Sequence, residues 1–437
     1  MGSDAKFVQL GSLCSQVLTG GTPLTKNKHF YDGGTIPWLK TKEVNFNFIE
    51  STENYITEAG LAGSSAKLVP VNSVIVAMYG QGDTAGRVAV NKIPVTTNQA
   101  CCNLVIDPLK ADYRFVYYYL KSSYSELVRR KTGSAQPNLN TKILKDFEIV
   151  DLPLARQTAI GDQLEALDQK ITLNRQINQT LEQMAQTLFK SWFVDFDPVM
   201  DNALDAGNPI PDELQHRAEA RKAVREGFKS LPDEVRQLFP DAFEESELGW
   251  VPEGWMSGIL SDLLVLQRGF DLPKSKRTDG PFPLMAASGQ DGTHNEGKVR
   301  GPGVVTGRSG KLGVVNLVIE DFWPLNTTLW IKEYPRSNPY HAYFFLQTIP
   351  LEQFNSGSAV PTLNRNHVHN RPVTLPSQDV LNKYADLVKD NFTQILNRRI
   401  QSETLEKLRD TLLPKLISGE LCLDDVELAV NQETVSA

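Results

Sequence analysis

The sequence predicts an α+β chain of two pseudo-repeated mixed α/β domains, separated by two long coiled-coil-like helices that pack antiparallel. Three observations carry this. The loop Gly133–Asn140, GSAQPNLN, returns as Gly357–Asn364, GSAVPTLN, 224 positions later. Each copy is followed by a short β-like segment ending in Leu-Pro, FEIVDLP at 147–153 and RPVTLP at 371–376. After each Leu-Pro, apolar residues step by four and three over several turns, which is coiled-coil spacing.

Taken in order, residues 1–152 form the first domain and residues 251–376 the second. IPWLKTKEVN (36–45) echoes FPLMAASGQD (282–291), and TTNQA (96–100) echoes PLNTT (324–328). YGQGDTAGRVAV (79–90) echoes TGRSGKLGVVNL (306–317), with Gly80/Gly307 and Gly86/Gly313 both 227 apart. ADYRFVYYYL (111–120) and NPYHAYFFLQ (338–347) both read as a capped aromatic helix, the second with Pro at its first position. The first long helix, within 153–195, carries Ile160, Leu164, Leu167 and Ile171, and its seam continues through Asn174 and Asn178 to Leu181, Ala185, Leu188 and Trp192. The second, 377–416, carries Leu381, Ala385, Val388, Phe392 and Ile395, then Leu405, Leu408 and Leu412. Each spans roughly 50–60 Å at about 1.5 Å per residue. Pro198 and Pro414 stand near the expected helix ends. Residues 196–250 read as a linker or docking arm around one charged helix, and 417–437 as a tail.

Two equivalent halves in one chain relate by a pseudo-two-fold axis, and that axis makes the helices antiparallel. Asn174 and Asn178 on the seam would fix register at some cost in packing. Ile177, Met184, Phe189 and Phe193 on the first helix lie off the seam, as do Leu396, Ile400 and Leu413 on the second. A two-helix pair would expose them, and an exposed apolar stripe marks a partner surface.

Hydrophobic content of 41% supports a real core. The net charge of −7 is unevenly spread: residues 1–150 hold 16 basic and 12 acidic residues, and 246–380 hold 12 of each, so the acidic excess lies outside the two domains. A phosphate backbone would meet the domains. The four cysteines lack Cys-x-x-Cys spacing, which argues against structural zinc and for a reducing compartment. No apolar run approaches a membrane span, so a cytoplasmic chain is expected.

Catalytic motifs are missing. GRSGKLG (307–313) is too short for a phosphate cradle, and GQGDTAGR (80–87) is only a partial dinucleotide fingerprint. Asn338-Pro339-Tyr340 lacks one proline of an adenine-methyltransferase motif. His367 and His369 have no further ligands at metal spacing. No catalytic, cofactor-binding or metal residues are assigned. Between the paired glycines, Gln81–Ala85 faces Arg308–Leu312, so one scaffold carries two polar loop sets. They read two different things, or they are surface loops that drifted after duplication; the residues alone leave both open.

The duplicated GSAxPxLN loop, the Leu-Pro helix entries, ILNRRIQSETLEKLRDTLLPKLISGEL (395–421) and LNRQINQTLEQMAQTLFKSWFVDFDPV (173–199) together resemble the specificity subunits of Type I restriction–modification systems over essentially the whole length. The resemblance implies two target-recognition domains, each reading one half of a bipartite double-stranded DNA sequence, with the helices as the spacer. It implies two methyltransferase subunits that bind S-adenosylmethionine, and motor–restriction subunits that use ATP and Mg. It implies a non-catalytic chain in a bacterial or archaeal cytoplasm, with no membrane partner.

Under that resemblance, Gln81, Asn98 and Gln99 suit adenine and Arg308 suits guanine. Lys40, Lys42, Arg87, Ser288, Ser309, Lys311 and Asn326 complete the candidate loop set. Arg129, Arg130 and Lys131, with Lys274, Lys276 and Arg277, suit phosphates. Gly133, Ser134, Pro137 and Asn140, and Gly357, Ser358, Pro361 and Asn364, are assigned first to joining domain and helix. Half-sites about one turn apart, on the order of 34 Å, are expected. The other class left open is a non-catalytic scaffold whose duplicated domains bind protein.

Overall fold

The computed structural model describes residues 6–80, 82–132, 138–225, 231–357, 360–418 and 420–421. Gln81, Gly133, Ser134, Pro137 and Ser358 lie outside the described residues. The chain divides into two compact units, Met1–Asn174 with Ile400–Ala437, and Arg175–Arg399. The division falls inside both long helices, so each unit holds one domain, the near half of its own helix and the far half of the other.

In the first unit, a five-stranded sheet runs in the order Cys14–Thr19, Cys101–Ile106, Val74–Ala77, Val88–Asn91, Asn47–Ile49, antiparallel except for the last pair. Val74–Ala77 and Val88–Asn91 are buried at every position, the polar Asn91 among them satisfied by Ser73 N, Pro70 O and Ile93 O. A smaller sheet sets Ile36–Leu39 between Tyr55–Ile56 and Thr96–Thr97, the latter parallel. The aromatic helix Tyr113–Ser122 starts at the Asp112 side chain, which accepts from Arg114 N at 2.8 Å, and buries Phe115, Tyr117, Tyr118 and Leu120.

The second unit repeats this plan. A four-stranded sheet runs Val265–Arg268, Thr328–Glu333, Gly303–Gly307, Val315–Val318, and Phe282–Ala286 lies between Gly289–His294 and the parallel Trp323–Pro324. Its aromatic helix Pro339–Thr348 is capped by Asn338 with Pro at the first turn. In both units the strand entering the domain pairs antiparallel with the strand leaving it: Phe7–Gln9 with Glu148–Val150, and Met256–Ile259 with Pro372–Leu375. That pairing closes each domain just before its long helix.

The long helices span Leu154–Phe193 and Gln378–Ser418, and their contacts run antiparallel within each unit. In the first, Arg156 donates to Leu416 O at 3.1 Å and Asn174 Nδ2 to Gln401 Oε1 at 2.9 Å; as one helix ascends, the other descends. In the second, Asn178 donates to Ile395 O at 3.1 Å and Tyr384 to Ala185 O at 3.1 Å. Asn174 is buried and also reaches Ser402 Oγ at 3.3 Å, so this polar seam residue is bonded rather than idle.

Pro414 lies near the end of the second helix, inside its last turns, and the first helix ends at Phe193, just before Phe196 turns left-handed (φ 55°) ahead of Pro198. Residues 196–250, expected as a linker or docking arm, fold onto the second unit. Val199, Val235 and Phe239 pack into the second unit's core, and Phe243–Ser246 pairs with Gly249–Pro252. The off-seam apolar residues are not uniformly exposed. Phe189 and Leu413 are buried and Phe193 largely so, because each unit's domain covers that side of its helices. Ile177 and Leu396 are half-buried, and Met184 (58%) and Ile400 (49%) remain exposed.

Candidate nucleic-acid interface

The parallel strand pairs bring the candidate loops together. In the first unit Asn98 N donates to Leu39 O at 3.0 Å, so Lys40 and the Asn98–Gln99 loop leave the sheet side by side. In the second, Leu325 N donates to Met285 O at 2.8 Å, which sets the Ala287–Ser288 turn beside Asn326. A third segment presses onto each loop at a glycine. A Cβ on Gly20 would sit 2.1 Å from Asn98 O, and one on Gly269 would sit 2.2 Å from Leu325 O. Only glycine permits this approach.

Two residues beyond each glycine, a polar side chain meets an amide. Thr22 donates its hydroxyl to Gln99 Oε1, and Asn326 Nδ2 donates to Asp271 Oδ1. These are equivalent places in the two domains. Thr22, Asp271 and the neighbouring Arg268 are absent from the sequence-based set, although TGGTP (19–23) and RGFDLP (268–273) repeat a glycine followed two residues later by a polar side chain.

Arg308 stands at the centre of the second loop set. Its backbone N–H donates to Thr327 O at 2.8 Å and its Nε to Asn326 O at 3.0 Å. Partial burial, then the nearby Arg268, lower its pKa, while Asp271 opposes them. The duplicated loop pins this turn. Leu363 N donates to Arg308 O at 2.8 Å, and Gly310 N donates to Pro361 O at 3.0 Å. In the first unit Leu139 N donates to Met78 O at 2.9 Å. The Asn ending each copy then caps a short helix: Asn140 Oδ1 accepts from Ile143 N at 2.9 Å and Asn364 Oδ1 from Asn366 N at 3.0 Å. Gly357 N–H donates to Asn355 Oδ1 at 2.9 Å.

The remaining candidates are placed as follows. Lys40 Nζ donates to Asn54 Oδ1 at 3.0 Å and lies over the Trp38 ring. Lys42 pairs with Glu53. Arg87 donates to Asp83 O at 3.0 Å and to Asn45 Oδ1 at 2.9 Å. Arg129 donates to Ser125 O, while Arg130 pairs with Glu126 and covers the Phe147 ring, which gives it packing work. Lys131 is half-buried; Lys274, Lys276, Ser288 and Lys311 are exposed; Ser309 is half-buried. Arg277 is held by Asp291 at 2.9 Å. His369 Nε2 accepts from Leu266 N at 2.9 Å, a structural use. Among the described residues no cluster of His, Cys, Asp and Glu could hold a metal, and no helix is long and apolar enough to cross a membrane.

In each unit the aromatic helix meets both long helices. In the first unit this junction is ionic: Asp168 binds Arg409, accepts from Tyr118 at 2.8 Å and faces Lys121 at 3.8 Å. In the second it is aromatic, with Phe392 stacked on Tyr340 and packed against Tyr343 and Phe344.

Such a fold defines a duplicated scaffold, in which each of two loop-bearing domains is seated on a pair of antiparallel helices. The model of the Type I restriction modification DNA specificity domain matches residues 2–183. The chain is 27% identical over 424 residues to the MjaIX specificity subunit of Methanocaldococcus jannaschii, covering 94% of this chain and 92% of that one. It is 27% identical over 346 residues to the HindI specificity subunit of Haemophilus influenzae, covering 69% and 74%. A solved Type I S subunit from M. genitalium shares the fold, with a TM-score of 0.59 at 17% identity, over 95% of this chain and 96% of that one. The chain is thus similar to Type I restriction enzyme specificity subunits over most of its length.

Proposed function

We propose that this chain is the DNA-reading subunit of a Type I restriction–modification complex, each domain reading one half of a bipartite duplex sequence. The observation that carries this is the duplication itself: two equivalent loop sets on one frame, with different side chains at matching positions. Thr22 with Gln99, and Asp271 with Asn326 and Arg308, are two solutions at one place. A shared frame with distinct polar tips fits two reading heads for different half-sites.

The long helices set the spacing of the half-sites and dock two methyltransferase subunits, and motor–restriction subunits join that core. The partners supply the chemistry: S-adenosylmethionine bound by the methyltransferase, ATP and Mg by the motor. This chain's residues position DNA and transfer no group.

Base-resolved methylation in cells with and without the chain tests the reading. Exchanging residues 1–150 for another recognition domain is expected to change one half of the methylated motif and leave the other intact. A change in both halves, or in neither, refutes it. Removing one heptad from the first long helix is expected to shift or abolish recognition at the native spacing, and an unchanged pattern would sink the spacer role.

A further inference from the structure

We infer that Asp271 and Arg308 together read one G·C base pair in the half-site of the second domain, with Asn326 as the brace between them. This rests on the proposed DNA reading by that domain.

Arg308 is anchored at three points: its N–H to Thr327 O, its carbonyl to Leu363 N and its Nε to Asn326 O. Among the described residues no acceptor meets its two terminal nitrogens, so the end of the guanidinium offers two parallel donors. Asn326 uses its Nδ2 on Asp271 Oδ1, and Arg268 Nη2 lies 3.4 Å from that same oxygen. Asp271 Oδ2 is left as an acceptor on a side chain 70% exposed. A carboxylate in a surface meant for phosphates is repelled unless a donor meets it. On major-groove base edges those donors are cytosine N4 and adenine N6.

The order of groups then chooses the pair. Two donors followed by an acceptor match guanine N7 and O6 followed by cytosine N4. An A·T pair places its donor, N6, between two acceptors and cannot satisfy that order. At the matching place in the first domain, Thr22 and Gln99 form a neutral hydroxyl–amide pair, so the two heads differ in chemistry at this position.

The test uses the full chain with its methyltransferase partner and reads genome-wide methylation base by base. Exchange of residues 251–376 assigns one half-site to the second domain. That half is expected to contain an obligatory G·C pair. Arg308→Ala is expected to lower modification of native sites roughly 5- to 150-fold, the range for one bidentate base contact. Arg308→Lys keeps the charge but loses the fork, and is expected to fail at the same position. Asp271→Asn is expected to admit other pairs at that one position only. A second half without an obligatory G·C pair overturns the inference, as do variants that lower methylation uniformly with no change of preference. If the domain exchange alters neither half, the underlying proposal of DNA reading fails instead.

Discussion

Asp168 on the first long helix is bound to Arg409 on the second, and the repeat-related positions in the other unit are Phe392 and Ala185. The same junction is thus built once from buried charge and once from aromatic packing. Both Asp168 and Arg409 are about nine-tenths buried at the side chain, and Lys121 is held beside them with its pKa lowered by burial and supported by Asp168. Removing one partner leaves the other buried charge with weaker compensation, since Arg409 keeps Asp410 at 2.8 Å and Asp168 keeps Lys121 at 3.8 Å. Asp168→Ala or Arg409→Ala is expected to cost less than the about 3–5 kcal/mol of a fully uncompensated buried charge. The combined change Asp168→Phe, Arg409→Ala, Tyr118→Phe and Lys121→Gln copies the second unit and is expected to cost less than either single change. Denaturant unfolding checks this; a fourfold variant as unstable as the summed singles would show that the ionic set is not an exchangeable module.

His341 invites a pH experiment. It is fully buried among Phe189, Phe193 and Phe345, with Nδ1 2.9 Å from Ser337 Oγ and no partner for Nε2 among the described residues. Burial lowers its pKa to about 3. The unfolded chain, with an ordinary value near 6.5, therefore binds a proton over a range where the folded chain does not. Stability is expected to be present above about pH 6.5 and to be lost as pH falls toward 3, by about 2–3 kcal/mol at pH 4.5. Aligning the helix caps places Phe115 at the equivalent position in the first unit. His341→Phe is expected to flatten this dependence, and an equally steep acid transition in the variant would reject His341 as its source.

Much of this architecture is legible in the sequence because repeats and helical periodicity are local signals. The seam residues Ile160, Leu164, Leu167 and Ile171 are buried as their spacing predicts. What covers the other side of a helix is a tertiary fact. Periodicity alone left Phe189 and Leu413 outside the seam, and the domains that bury them are remote in sequence. The candidate loops show the same limit. Asp271 meets Asn326 across 55 positions and Thr22 meets Gln99 across 77, and only the glycine before each first member hints at it. The loop GSAVPTLN was legible as a junction, but its hydrogen bonds to Arg308 and Gly310 were not.

The capping asparagines separate joining from reading. Asn140 and Asn364 each satisfy a backbone N–H at the start of a short helix. Alanine at either site is expected to cost about 0.5–2 kcal/mol, and aspartate much less. Thermal unfolding measures the cost, and methylation sequencing is expected to find the motif unchanged in surviving protein. A changed motif with unchanged stability would make these residues base contacts instead.

The long helices carry two kinds of off-seam apolar residue, and substitution separates them. Phe189 and Leu413 are core residues of their own units, so alanine is expected to cost about 3–5 and 2–5 kcal/mol respectively. Met184 and Ile400 are exposed, and a charge there removes no internal packing. Met184→Glu and Ile400→Glu are expected to change stability by less than about 0.5 kcal/mol. If these positions lie under a docked methyltransferase subunit, as proposed, the same changes bury an unpaired charge in the complex. They are then expected to weaken association at least about tenfold. Titration of the full chain with its methyltransferase partner, alongside thermal unfolding of the chain alone, reads both effects. Unweakened association in both variants would move the docking surface off these two positions.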